Sequence, residues 1–391
     1  MRKLFVLGLI VIMLATFSFG ADFGFSGQFR TRTTNYKDTG IGFQEETLDN
    51  ISWIDTRMRL STTATMSDNL KAVLGFEIGD FQWGEGWHNA DEVNVETKHA
   101  YLEFKPDFME KLKFTAGLQY YADQFGSSVF DEDAAGLTVE PMMDNMNIKA
   151  GMFVFNDDDV NMNNSHTFGA LDVSKSMDKL NLKGSFYYDD VRNEYASTYF
   201  GAGADYTMDT MGLGGHFIYM NRSYDAEGVD SESGYFAYGY GEYTMNDLNL
   251  KLNFGYSPAS AADNTAFYGI APYAWIFGLE YAHDGAVTDH TDLMTELGGA
   301  GNYGQYGGQM VLAANVSYKF LYANFGMINA TEESLDNNSL GNELDVGINY
   351  ELTDGLTFDV VYAMFMPGDF DGFAESTENA YEFSTKLQYN F

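Results

Sequence analysis

Apolar and polar residues alternate with a period of two over most of this chain. Between positions 248 and 256, Leu248, Leu250, Leu252, Phe254 and Tyr256 alternate with Asn249, Lys251, Asn253 and Gly255. Strand side chains point to opposite faces in turn, so such a run has one apolar and one polar face. The same rhythm runs through Leu70, Ala72, Leu74, Phe76 and Ile78, through Leu112, Phe114, Ala116, Leu118 and Tyr120, and through Leu180, Leu182, Gly184, Phe186 and Tyr188. It returns at Met310, Leu312, Ala314, Val316 and Tyr318, at Leu344, Val346, Ile348, Tyr350 and Leu352, and at Leu356, Phe358, Val360, Tyr362 and Met364. These runs have the length, about 9 to 11 residues, that a tilted strand needs to cross a bilayer.

Short motifs with Asp, Asn or Glu separate the runs: MSDNL from Met66, MEKL from Met109, MDNM from Met143, MDKL from Met177, MDTM from Met208, MNDL from Met245 and TDGL from Thr353. Each reads as a tight hairpin turn using Asx chemistry. Their partly regular spacing does not indicate a helical solenoid, because the hydrophobic period between them is 2 and not 3.6. An eighth turn is expected at Phe320-Leu321. Eight hairpins plus a first and a last strand predict an all-β, antiparallel up-and-down barrel of about 18 strands; 16 is the nearest alternative, because 135–141 and 321–330 alternate weakly. The opposite ends carry longer polar connections at 36–50, 80–93, 122–134, 156–165, 190–198, 222–233, 258–307, 331–341 and 367–379. Pro106, Pro141, Pro258, Pro272 and Pro367 all fall at the breaks, as residues without an amide donor should.

The N-terminus reads as a secretory leader over residues 1–20. Arg2 and Lys3 precede an apolar stretch from Leu4 to Ala15, and Ser18 and Gly20 are small residues ahead of a cut before Ala21. Residues 21–391 then form one barrel domain. No later apolar run reaches the length of a membrane helix. Cysteine is absent, which removes disulfides and thiolate chemistry. The net charge of −36 argues against nucleic acid or anionic lipid headgroups as partners, while 27 Tyr and 32 Phe argue against an acidic disordered chain.

Residues 381–391 read Y-E-F-S-T-K-L-Q-Y-N-F, with Tyr381, Phe383, Leu387, Tyr389 and the terminal Phe391 on one face. This resembles the assembly signal of Gram-negative outer-membrane β-barrels, which implies insertion by the barrel-assembly machinery into lipid and lipopolysaccharide. The segment 341–370, G-N-E-L-D-V-G-I-N-Y-E-L-T-D-G-L-T-F-D-V-V-Y-A-M-F-M-P-G-D-F, resembles the penultimate hairpin of 18-stranded alginate-export-like and related porin-type barrels. That resemblance implies a water-filled channel with both termini in the periplasm and long loops outside the cell. A homotrimer is compatible with it.

In such a barrel the inward face decides what passes. Arg30 and Arg32 with Asp55, Arg57 and Arg59 fall on the polar face of the first two strands. They form either a cationic patch or a set paired to Asp55, Glu77 and Glu103 for stability. The third long connection, 121–136, holds Asp123, Asp131, Glu132 and Asp133; it either folds into the channel opposite the arginines or stays outside as a solvated loop. An acidic face with Glu343, Asp345, Glu351, Asp359 and Glu382 against Lys386 predicts weak cation selectivity. The segment 258–307 is too apolar around A-W-I-F-G-L-E-Y for a free loop and is expected to plug the mouth or to extend a hairpin. Passive diffusion of small hydrophilic solutes and ions is the expected function. A selective channel for an oligosaccharide or organic solute, with Trp53, Trp83 and Trp87 along its track, and a plugged structural or adhesion barrel are the alternatives.

Nothing points to catalysis or a cofactor. His283-Asp284 and Asp289-His290 are neighbours in sequence without a nucleophile motif. Asp157, Asp158 and Asp159 with Asn161, Asn163 and Asn164 lack the spacing of a dedicated cation site.

Overall fold

A computed structural model gives the fold. It describes residues 21–37, 50–84, 93–156, 165–258, 260, 265–270, 277, 279, 308–331, 336–370 and 378–391. The leader at 1–20, Trp87, the run 157–164, Pro272 and both His/Asp pairs lie outside the described residues.

Eighteen strands follow one another: β1 (Asp22–Lys37), β2 (Asn50–Ser67), β3 (Leu70–Gln82), β4 (Val95–Phe104), β5 (Leu112–Ala122), β6 (Asp131–Met143), β7 (Met146–Asn156), β8 (His166–Met177), β9 (Leu180–Val191), β10 (Tyr195–Thr207), β11 (Met211–Tyr224), β12 (Glu232–Met245), β13 (Leu248–Ser257), β14 (Gln309–Tyr318), β15 (Leu321–Ala330), β16 (Ser339–Thr353), β17 (Leu356–Pro367) and β18 (Ala380–Asn390). Each pairs antiparallel with the next, and β18 closes on β1 through Gln28 opposite Asn390 to Lys37 opposite Tyr381. The sheet therefore closes on itself, each strand having a neighbour on both sides. The weakly alternating stretches are both strands, β6 and β15, so the count is 18.

Seven of the eight short turns lie where the Asx motifs stand, and the eighth is the Lys319-Phe320 turn between β14 and β15, one residue before the expected place. Asn145, Asp178 and Asn246 sit in the left-handed region, with φ of 61°, 50° and 51°. Asn and Asp tolerate that region because their short polar side chains bond locally. One of the eight is different: MEKL belongs to a seven-residue link at 105–111 with a 3-10 turn at Asp107–Met109, begun by Pro106. At the other end, the expected long connection 190–198 is only the three-residue turn 192–194.

Two prolines depart from the sequence reading. Pro141 lies inside β6 opposite Leu112 of β5, and Pro367 ends β17. On the β7 side the ladder passes from Val139 to Met142, so Pro141 takes a position where no partner on β7 needs its missing amide.

The outer surface is apolar all round. Phe25, Leu102, Met152, Phe200, Phe217, Leu252, Leu312, Val346, Tyr362 and Phe383 are exposed there, and so are Tyr381, Leu387, Tyr389 and Phe391. An exposed apolar belt of this extent suits hydrocarbon and not water. Between those residues on β18, Glu382 and Ser384 are fully buried, facing inward.

Candidate channel lumen

The inner wall divides into two sectors. From β7 to β12 each strand contributes a large apolar residue to the inner face, and most of these are aromatic: Phe153, Phe168, Tyr187, Tyr199, Ile218 and Phe236 are all essentially inaccessible. An inward face buried in this way needs a cover, and two segments supply it. The first is the tip of the β5–β6 hairpin. Tyr121 packs its ring 5.0 Å from that of Phe153, Phe130 lies 4.9 Å from Phe168, and Phe125 reaches His216 on β11 at 5.2 Å. Gly201 and Gly203 leave the space for Phe125, since a Cβ at Gly201 would fall on its ring. The second cover comes from the 258–307 segment, in which Phe267 packs on Phe236 and Tyr199, the Ile270 amide donates to the Val129 carbonyl at 2.8 Å, and Tyr199 Oη donates to the Tyr268 carbonyl at 2.9 Å.

Asp123 organises the hairpin tip. Its carboxylate accepts from the amides of Phe125 (2.6 Å), Val129 (2.6 Å) and Phe130 (2.9 Å), closing the eight-residue connection on itself. Burial pushes its pKa up to about 6, against the three amide donors that pull it down; the nearby Asp172 adds to the rise. Asp172 on β8 ties the tip to the wall by accepting from the hydroxyls of Tyr121, Ser185 (2.5 Å) and Tyr187 (2.6 Å). Gln124 adds hydrogen bonds to the Gly184 carbonyl at 2.8 Å and to Ser185 Oγ at 2.7 Å.

The second sector, on β1 to β4 and β16 to β18, is charged. Arg32 bonds Asp55 at 3.1 Å, Arg30 bonds Asp80 at 2.6 Å, and Arg59 bonds Glu77 at 2.5 Å. Arg57 lies 3.8 Å from Glu77 and 3.7 Å from Asp80. Trp53 Nε1 donates to Asp55 at 3.1 Å, whereas Trp83 stands exposed and donates to Thr56. The four guanidinium groups are thus interleaved with three carboxylates. Asp80 takes the place expected of Glu103, which pairs instead with Lys71 and Lys113, because β4 carries it toward the short-turn end of the wall. Glu343, Asp345, Asp359 and Glu382 are buried on the inner faces of β16 to β18, with Lys386 3.7 Å from Asp359.

A cavity of about 730 Å³ lies against this sector. Arg30, Arg57 and Arg59 line one side, and Tyr120, Asp131, Glu132 and Asp133 line the other, with Lys98 and His99 between. Asp131, Glu132 and Asp133 reach it from strand β6 and not from the loop, and Asp123 does not reach it at all, being consumed by the loop's own amides. Alternation along β5 and β6 groups Tyr120, Asp131 and Asp133 with the lipid-facing positions. They line the cavity because the hairpin tip has left the wall and turned inward. The aromatic inner sector had a legible signal: β7, β9 and β11 carry large apolar residues on both faces, as strands do when both faces are covered.

No protein-family model matches the sequence, and no curated protein matches it. Solved structures do. OccAB1 of Acinetobacter baumannii is similar over 95% of this chain and 96% of its own, with a TM-score of 0.61 at 13% identity. OccK11 (OpdR) of Pseudomonas aeruginosa is similar over 95% and 96%, with a TM-score of 0.59 at 12% identity. The outer membrane protein opdK from Pseudomonas aeruginosa is similar over 94% and 98%, with a TM-score of 0.58 at 12% identity. The chain therefore has the closed 18-stranded fold of outer-membrane porin barrels.

Proposed function

We propose that the chain is an outer-membrane porin that passes small hydrophilic solutes and ions by diffusion, without a chemical step. The observation that carries this reading is the cavity between guanidinium and carboxylate groups inside a wall whose outside is apolar. A polar, roomy lumen behind a lipid-facing surface serves no purpose that packing alone would explain. By the outer-membrane arrangement, the long connections face outside the cell and both termini lie in the periplasm. Residues 1–20 are read as the export leader, and the β18 face of Tyr381, Phe383, Leu387, Tyr389 and Phe391 as the contact for assembly machinery. Lipopolysaccharide and lipid surround the barrel.

Weak cation selectivity belongs to this proposal. Asp55, Glu77 and Asp80 offset three of the four arginines, and the carboxylates of β16 to β18, Glu343, Asp345, Asp359 and Glu382, outnumber the cations that are left, so they set the sign. Reversal potentials across a planar bilayer in a salt gradient test it, and a preference for chloride removes it. The cover over the aromatic sector supports a second reading, a channel selective for an organic solute. Liposome swelling with graded sugars separates the two: uptake falling smoothly with size supports the general porin, and uptake depending on solute identity supports the selective channel.

A further inference from the structure

β4 and β5 pair over only five positions, from Ala100 opposite Leu118 to Phe104 opposite Phe114. Both strands continue beyond Ala100 and Leu118, β4 up to Val95 and β5 to Ala122, yet among the described residues no ladder joins those halves. A spanning strand needs about 9 to 11 residues, so five pairs do not close this seam through the full hydrocarbon depth. Gly117, at φ 127°, sits against the Ala100 carbonyl where the strands part. The parting is the local consequence of the hairpin tip turning into the lumen.

Unpaired backbone at membrane depth is tolerated only where protein covers it or water reaches it. Here side chains bridge the gap. Asp133 of β6 meets Lys98 at 2.6 Å and His99 at 3.1 Å, and all three line the lumen cavity. On the lipid side, directly below the parting, lies an apolar groove of about 490 Å³ in which Ala64, Ala72, Ala100 and Ala116 form the floor, flanked by Leu74 and Leu102. Ala100 belongs both to the groove and to the last pair of the seam. A charged inner cavity, a parted wall and an outer hydrocarbon-sized groove are therefore contiguous.

We infer that the β4–β5 seam is a side port through which an amphiphile, a hydrocarbon tail with an anionic end, passes between the lumen and the surrounding lipid. This rests on the channel reading above. The anionic end is set by Arg59 and Lys98, whose side chains keep 43% and 29% exposure to the cavity beside their carboxylate partners Glu77 and Asp133, so that an incoming anion shares or displaces those partners. The tail lies in the alanine-floored groove, where small side chains leave room for methylene groups.

Two measurements on the full chain in lipid nanodiscs test the port. Backbone amides at 95–99 and 119–122 that are not bonded to β3 or β6 should exchange with solvent at least tenfold faster than those at 101–104 and 114–117; equal protection overturns the port. A twelve-carbon carboxylate with a photoreactive tail should label peptides around 100–102 and 116–120 at least fivefold more than the lipid-facing peptide 213–219, and Ala100→Trp should remove that excess. Even labelling around the barrel, or an excess that survives Ala100→Trp, overturns the binding path. Single-channel conductance of the same preparation reports separately on the channel reading: its absence sinks the porin proposal, which neither exchange nor labelling measures.

Discussion

At the scale of single residues, charge pairing and burial decide the character of the lumen. Arg59 and Glu77 illustrate it, since a 2.5 Å pair facing the cavity contributes little net charge. Arg59→Ala leaves Glu77 with the more distant Arg57 as its remaining partner among these arginines, and the reversal potential should shift toward stronger cation preference by a readable few millivolts with conductance maintained. Asp123 carries a pH dependence whose sign follows from its raised pKa. A carboxyl that protonates more readily docked than free favours docking most below about pH 4 and loses that contribution as pH rises through about 6. Conductance should therefore be lower at pH 5 than at pH 8. Asp123→Asn cannot titrate, and it should flatten the profile; an unchanged profile would assign the effect elsewhere. Asp123→Ala orphans three buried amides at about 1–3 kcal/mol each, enough to release the tip altogether.

At the scale of elements, the β5–β6 hairpin is where strand rhythm and tertiary placement part company. Alternation is regular along β5 and weaker along β6, and by that rule and the register between them Tyr120, Asp131 and Asp133 belong to the lipid face. They face the cavity because Tyr121, Phe125 and Phe130 find an aromatic wall on β7 to β11, each burial being worth about 1.5–3 kcal/mol. Gly201→Leu places a side chain where Phe125 sits, so the tip should undock and single-channel conductance rise about twofold or more. An unchanged conductance would show that the tip does not restrict the channel. The β18 face was fully legible, because Tyr381, Phe383, Leu387, Tyr389 and Phe391 are exposed and their neighbours Glu382 and Ser384 buried, as period two requires. If that face guides assembly, deleting Phe391 should lower the yield of folded barrel in membranes several-fold without lowering that of the unfolded chain.

At the scale of the whole molecule, the apolar outer belt requires a hydrocarbon surround, and the purified barrel should remain monodisperse in detergent and aggregate when detergent is withdrawn. Size-exclusion chromatography across the critical micelle concentration reads this directly. The sequence by itself determined the barrel: two-residue alternation, strand lengths near ten and Asx turns are local properties, and they set the architecture, a count of about 18 strands with 16 as the alternative, and which residues of a regular wall face outward. Tertiary structure alone decided the interior. Whether a hairpin tip stays in the wall or turns into the lumen depends on contacts between residues tens of positions apart, such as Tyr121 with Asp172 and Gly201 with Phe125. Arg30 likewise finds Asp80, fifty residues away, through two intervening strand pairings. Alternation is a statement about neighbours along one strand, and it carries no information about what comes to cover that strand's inner face.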